Sequence, residues 1–180
     1  MTMSPRLGKF VLTAHVTFSV GWLGAVSVVL AIGVIGFVSR DVQTVRSAYI
    51  VMEPATRFVL IPLSLGSLLT GLVQSLGTRW GLLRHYWVLI KLLINVIATV
   101  ILLMYTQTLS FFALVAAETQ SDLNLLRTPS VVIHSGVAII LLLIATTLSV
   151  YKPRGMTRYG QRQQHQKRGQ PDNAHRPRLS

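Results

Sequence analysis

Residues 84 to 118 read RHYWVLIKLLINVIATVILLMYTQTLSFFALVAAE, and between the first arginine and the last glutamate the only formal charge is Lys91. A helix needs roughly 20 residues to cross a hydrocarbon core of about 30 Å, so this run suffices for one span. Three more stretches carry no formal charge at all: between Lys9 and Arg40, between Arg57 and Arg79, and between Arg127 and Lys152. Together they account for most of the 180 residues. The expected fold class is therefore all-α: a polytopic membrane protein with four transmembrane helices in a bundle, at about 7–38, 57–77, 86–108 and 129–151. Residues 1–151 form the membrane domain and 152–180 a basic, disordered cytoplasmic tail.

Composition agrees. Hydrophobic residues make up 51% of the chain and charged ones only 12%, about half the share usual in soluble proteins. A net charge of +12 raises the question of nucleic acid, but eight of the 17 basic residues follow Tyr151, so the basicity belongs largely to the tail. No nucleic-acid partner is expected. The tail cannot bury enough apolar surface to fold alone. It serves either as an electrostatic anchor to anionic lipid head groups or as a solvated segment that fixes topology. The absence of cysteine excludes thiolate metal sites and thiol catalysis.

Boundary signals are ordinary. Ser4-Pro5 and Thr128-Pro129 each set a capping hydroxyl before a proline suited to a first helical turn. Glu53-Pro54 is expected to open the second helix, which leaves Pro62 inside it to kink it. The first span exceeds the 7 to 15 apolar residues of a secretory signal and is expected to be retained. With the amino terminus inside, Arg6, Lys9, Arg79, Arg84, Lys91 and the tail give 13 basic residues on the cytoplasmic side. Arg40, Arg46, Arg57 and Arg127 give 4 outside. Both termini are thus expected to be cytoplasmic.

Polar residues within the spans are the candidate site. Counted at 1.5 Å per residue, His15 and Lys91 lie about 10 Å to the inner side of the bilayer centre and His134 about 10 Å to the outer side. Gln74 and Asn95 join the inner pair, and Asn95 shares a helix face with Lys91. The cluster His15, Gln74, Lys91 and Asn95 reads either as a binding site or proton relay. Otherwise Lys91 snorkels to the head groups while the others tie helices together. Snorkelling is the expectation. Gly21, Ala25, Ser67, Gly71 and Ser75 supply small residues for close helix approach.

Cofactor readings are narrower. His15 and His134 differ in depth by about 20 Å and cannot share an iron. His15 and His85 lie on one side and are the candidate axial pair for haem b, the rival to a protein without a cofactor. His134, Met52 and Met104 all fall in the outer half, a soft donor set that suits Cu(I). Arg79, Trp80, Arg84, Tyr86 and Trp87 form a dense aromatic and basic group expected to anchor the interface, with a lipid or partner contact as the alternative. All acids fall outside the spans and no HExxH, P-loop or GxSxG pattern occurs, so no enzyme is expected.

The segment Ile61 to Leu93 resembles a group of uncharacterised bacterial four-helix integral membrane proteins, carried by SLGTRWG at Ser75 to Gly81, RHYW at Arg84 to Trp87, and Lys91 one turn further on. The first helix, with His15, Gly21, Trp22 and Gly24, is more loosely similar to the opening helix of copper-resistance membrane proteins. The closer resemblance implies a multi-pass location in the bacterial cytoplasmic membrane and no particular reaction. The expected function is non-enzymatic, through contacts with anionic lipids, a membrane-protein partner or a second copy.

Overall fold

The computed structural model describes residues 3–77, 85–118, 123–153, 155, 157, 158 and 160–162. Residues 78–84 (Arg79, Trp80 and Arg84 among them), Asp122 and most of the tail lie outside the described residues.

The protein is all-helical. Helix α1 is Pro5–Val38, α2 is Val42–Ala55, α3 is Ile61–Gly77, α4 is Tyr86–Ala117 and α5 is Ser130–Tyr151. A π-helical segment, Thr56–Leu60, joins α2 to α3 without a break, so among the described residues four helices are long and apolar enough to cross a membrane. Each neighbours the next in the chain, and α5 closes the ring against α1. Only 17% to 28% of each most apolar stretch is buried, so the bundle presents an apolar exterior that water would solvate poorly.

Two boundaries differ from expectation. The second span begins at Val42, not near residue 57, because Asp41 caps it: its carboxylate accepts from the Thr44 N–H at 2.8 Å and the Thr44 hydroxyl at 2.6 Å. Val45, Ala48, Tyr49 and Met52 then fall on one buried face. Pro54 therefore lies inside the helix and does not open it. Pro62 is accommodated by the wide π turn just before it, where the Ile61 N–H reaches back to the Thr56 carbonyl. Helix α4 runs on to Ala117 because Leu109, Phe112, Val115 and Ala116 continue its core face, with Phe112 packed edge-on against Tyr49 at 5.5 Å. The cap at Ser4 forms, accepting from Leu7 N–H at 3.4 Å with Pro5 in the first turn. At α5, by contrast, Pro129 takes the N-cap place without a side-chain cap, and Thr128, one residue outside, accepts from Ser130 N–H at 3.3 Å.

Close approach of α1 and α5 depends on Gly33. A β-carbon there would stand 2.8 Å from Val131 Cγ1. Valine is stiff at χ1 in a helix and cannot swing away. Gly33→Ala is expected to destabilise the detergent-purified protein by about 1 to 3 kcal/mol in thermal unfolding. Gly24→Ala, where a β-carbon meets nothing within 4 Å, is the neutral comparison.

Candidate functional site

Burial brings the inner polar residues together. His15, on α1, is only 5% exposed and faces α3. Its Nδ1 lies 3.1 Å from the Ser67 carbonyl and 3.2 Å from Thr70 Oγ1. A carbonyl can only accept, so Nδ1 carries the proton and Nε2 is left as an acceptor. Lys91 Nζ, reaching across from α4, donates to that Nε2 at 3.2 Å. Lys91 thus turns into the bundle, against the expectation that it snorkels; the acceptor on His15 holds it there. Gly71 makes this geometry fit: a β-carbon at that position would meet His15 Cε1 at 3.0 Å.

A second tier lies one turn deeper. The Ser19 and Ser67 hydroxyls share a hydrogen bond of 2.9 Å, and Asn95 Nδ2 donates to Ser67 Oγ at 3.3 Å. Asn95 is 7% exposed and its Oδ1 has no hydrogen-bond partner. Turning the amide over would pair the oxygen and strand the NH2 group instead, so one end is unpartnered in either orientation.

His15, Gly71, Lys91 and Asn95 line a chamber of about 510 Å³ at the end of the bundle where α1 begins and α5 ends. Lys9 and Lys152 stand at its edge, both exposed, with Lys91 deeper and Gln74, Ser75 and Ser149 on the walls. The Ser149 hydroxyl oxygen is also buried without a partner. Lys152 caps α5 in the left-handed conformation, φ 44°, which turns the chain away from the helix. Among the described residues no carboxylate lines the chamber. Asp41, Glu53 and Glu118, the acids among the described residues, sit at the opposite end, by the start of α2, the close of α2 and the end of α4. An enclosure with three lysines and, among the described residues, no acid favours an anion.

Other sequence candidates are placed differently. His85 is the residue before α4 and packs against Trp87, ring centroids 6.4 Å apart; it does not line the chamber that His15 enters. Both ring nitrogens of His15 already have protein partners. Met52 is fully buried, Met104 is 70% exposed, and the cavity lined by His134 includes neither. His134 stacks on Tyr105 at 4.2 Å and bonds through Nδ1 to the Ser130 carbonyl at 2.8 Å. Of the aromatic and basic group at the start of α4, Tyr86 is 52% exposed, whereas Trp87 is 9% exposed and turns inward to line the chamber. Among the described residues no group of three or more His, Cys, Asp or Glu side chains is arranged to hold a metal ion.

Sequence reading missed Ser19, Ser67 and Thr70 as partners of the cluster. The signal was present: Ser19 is one turn from His15, and Ser67, Thr70, Gly71 and Gln74 fall on one face of α3. It also missed the buried pair Arg46 and Tyr49 at the far end. No family model, curated protein or solved structure matches this chain. The fold and the chamber therefore carry the functional reading: a four-helix bundle of membrane-spanning dimensions, with a basic, polar chamber open at one end.

Proposed function

We propose that this is a non-enzymatic, multi-pass protein of the bacterial cytoplasmic membrane that holds the anionic head group of a membrane lipid in the chamber where α1 begins and α5 ends. The observation that carries the reading is the convergence of Lys9, Lys91 and Lys152 on a chamber that no carboxylate among the described residues lines, beside a buried Asn95 amide with one unpartnered end. A phosphate-bearing head group would meet the lysines. A head-group hydroxyl, which can donate and accept, would satisfy Asn95 in either amide orientation. The basic tail adds attraction to the same leaflet. The 13 to 4 split of basic residues supports a cytoplasmic chamber and tail.

The test is lipid binding to the purified protein in phosphatidylcholine nanodiscs. Phosphatidylglycerol is expected to bind saturably, and Lys9→Gln combined with Lys152→Gln to weaken it by about 2 kcal/mol, roughly thirtyfold. Inorganic phosphate as competitor separates a lipid site from one for the free ion. Equal affinity for phosphatidylcholine and phosphatidylglycerol would refute the reading.

A further inference from the structure

A second cavity, of about 380 Å³, lies nearer the opposite end between α1, the π segment, α4 and α5. Its walls are almost entirely apolar, and it shares no lining residue with the basic chamber. Ile101, Ile133 and Val137 on its rim are between 43% and 56% exposed, so it opens on the apolar outer surface of the bundle. Its volume matches a single ring system with a short substituent.

Trp22 gives the cavity its chemistry. The side chain is 1% exposed, yet its indole Nε1 has no hydrogen-bond partner. Buried indole N–H groups ordinarily find an acceptor. An acyl chain filling the cavity would leave this donor unsatisfied. Water is a poor substitute, because a lodged water needs two or more polar partners and these walls supply few. On another wall the Tyr105 and His134 rings stack nearly parallel, 21° apart. Because the His134 Nδ1–H is committed to the Ser130 carbonyl, its Nε2 remains an acceptor.

We infer that this cavity is a binding site for a lipid-soluble, planar carbonyl compound of the quinone class, with Trp22 Nε1 donating to a carbonyl oxygen and the apolar walls enclosing the ring. Entry is from the membrane. The site is independent of the basic chamber, and no redox step is implied.

The experiment is isothermal titration of the full chain in phosphatidylcholine nanodiscs with a decyl-substituted benzoquinone, beside decylbenzene, which has the same apolar body without carbonyls. Saturable binding of the quinone alone is expected. Trp22→Phe keeps a ring in place and removes the donor; it should weaken quinone binding roughly tenfold, the loss of one buried hydrogen bond. Should that variant misfold, Ala138→Leu narrows the cavity from another wall and is expected to abolish binding. Decylbenzene binding as tightly as the quinone, or quinone affinity unchanged in Trp22→Phe or in Ala138→Leu, would overturn the assignment in favour of a simple acyl-chain groove.

Discussion

Arg46→Met is expected to lower the stability of the detergent-purified protein by about 3 kcal/mol or more, the largest loss from any single substitution at that end of the bundle. Arg46 is 8% exposed, and its Nη1 donates to the Ala116 carbonyl at 2.9 Å and to the Glu118 carbonyl. Those carbonyls close α4, where the last turn has no intrahelical donors and the helix dipole is negative, so a cation is doubly suited. Hydrogen bonds to a charged group are worth about 1.5 to 3 kcal/mol each, partly offset by the cost of desolvating the guanidinium. Tyr49 reinforces the junction by donating to the Leu126 carbonyl at 2.5 Å. Arg57→Met is the comparison. Its 2.8 Å ion pair with Glu53 is over half exposed on the arginine side and should cost under about 1 kcal/mol. Equal losses in the two variants would show that Arg46 does not close α4.

His15→Ala should cost about 2 to 4 kcal/mol, since it removes a buried ring packed against Gly71 together with its hydrogen bonds to the Ser67 carbonyl and to Lys91. Lys91→Met in the native background loses the donor to Nε2; in the His15→Ala background there is no acceptor left to lose. The double-mutant cycle is therefore expected to show a coupling of about 1 kcal/mol or more, read from thermal unfolding. Additivity within about 0.5 kcal/mol would mean that the two side chains do not act on one another. Lys91→Arg should also destabilise, because a planar fork does not fit where a compact ammonium meets a single ring nitrogen.

How much of this was legible in the residues depends on the range of the interaction involved. Helix number and the cap at Ser4 rest on local composition and spacing, and both were readable; at α5 Pro129 takes the N-cap place expected of Thr128. The co-location of His15, Lys91 and Asn95 was readable too, because the first and third spans run parallel and equal depth along them follows from counting rises. The start of α2 was not. Its charged residues Asp41, Arg46 and Glu53 looked like a loop outside the membrane, whereas a tertiary face of Val45, Ala48, Tyr49 and Met52 holds the segment helical.

By itself the sequence determined an all-helical chain with four spans of membrane dimensions, since uninterrupted apolar length is a one-dimensional property. It determined as well that basic charge gathers toward one end. Only the tertiary structure decided that Lys91 turns inward, that Trp87 is buried and lines a chamber, and that Met52 and Met104 part company. The direction a side chain takes around a helix depends on which neighbour offers an acceptor or a gap. For Lys91 that neighbour is His15, 76 positions away in the chain, and no periodicity within a single span encodes it.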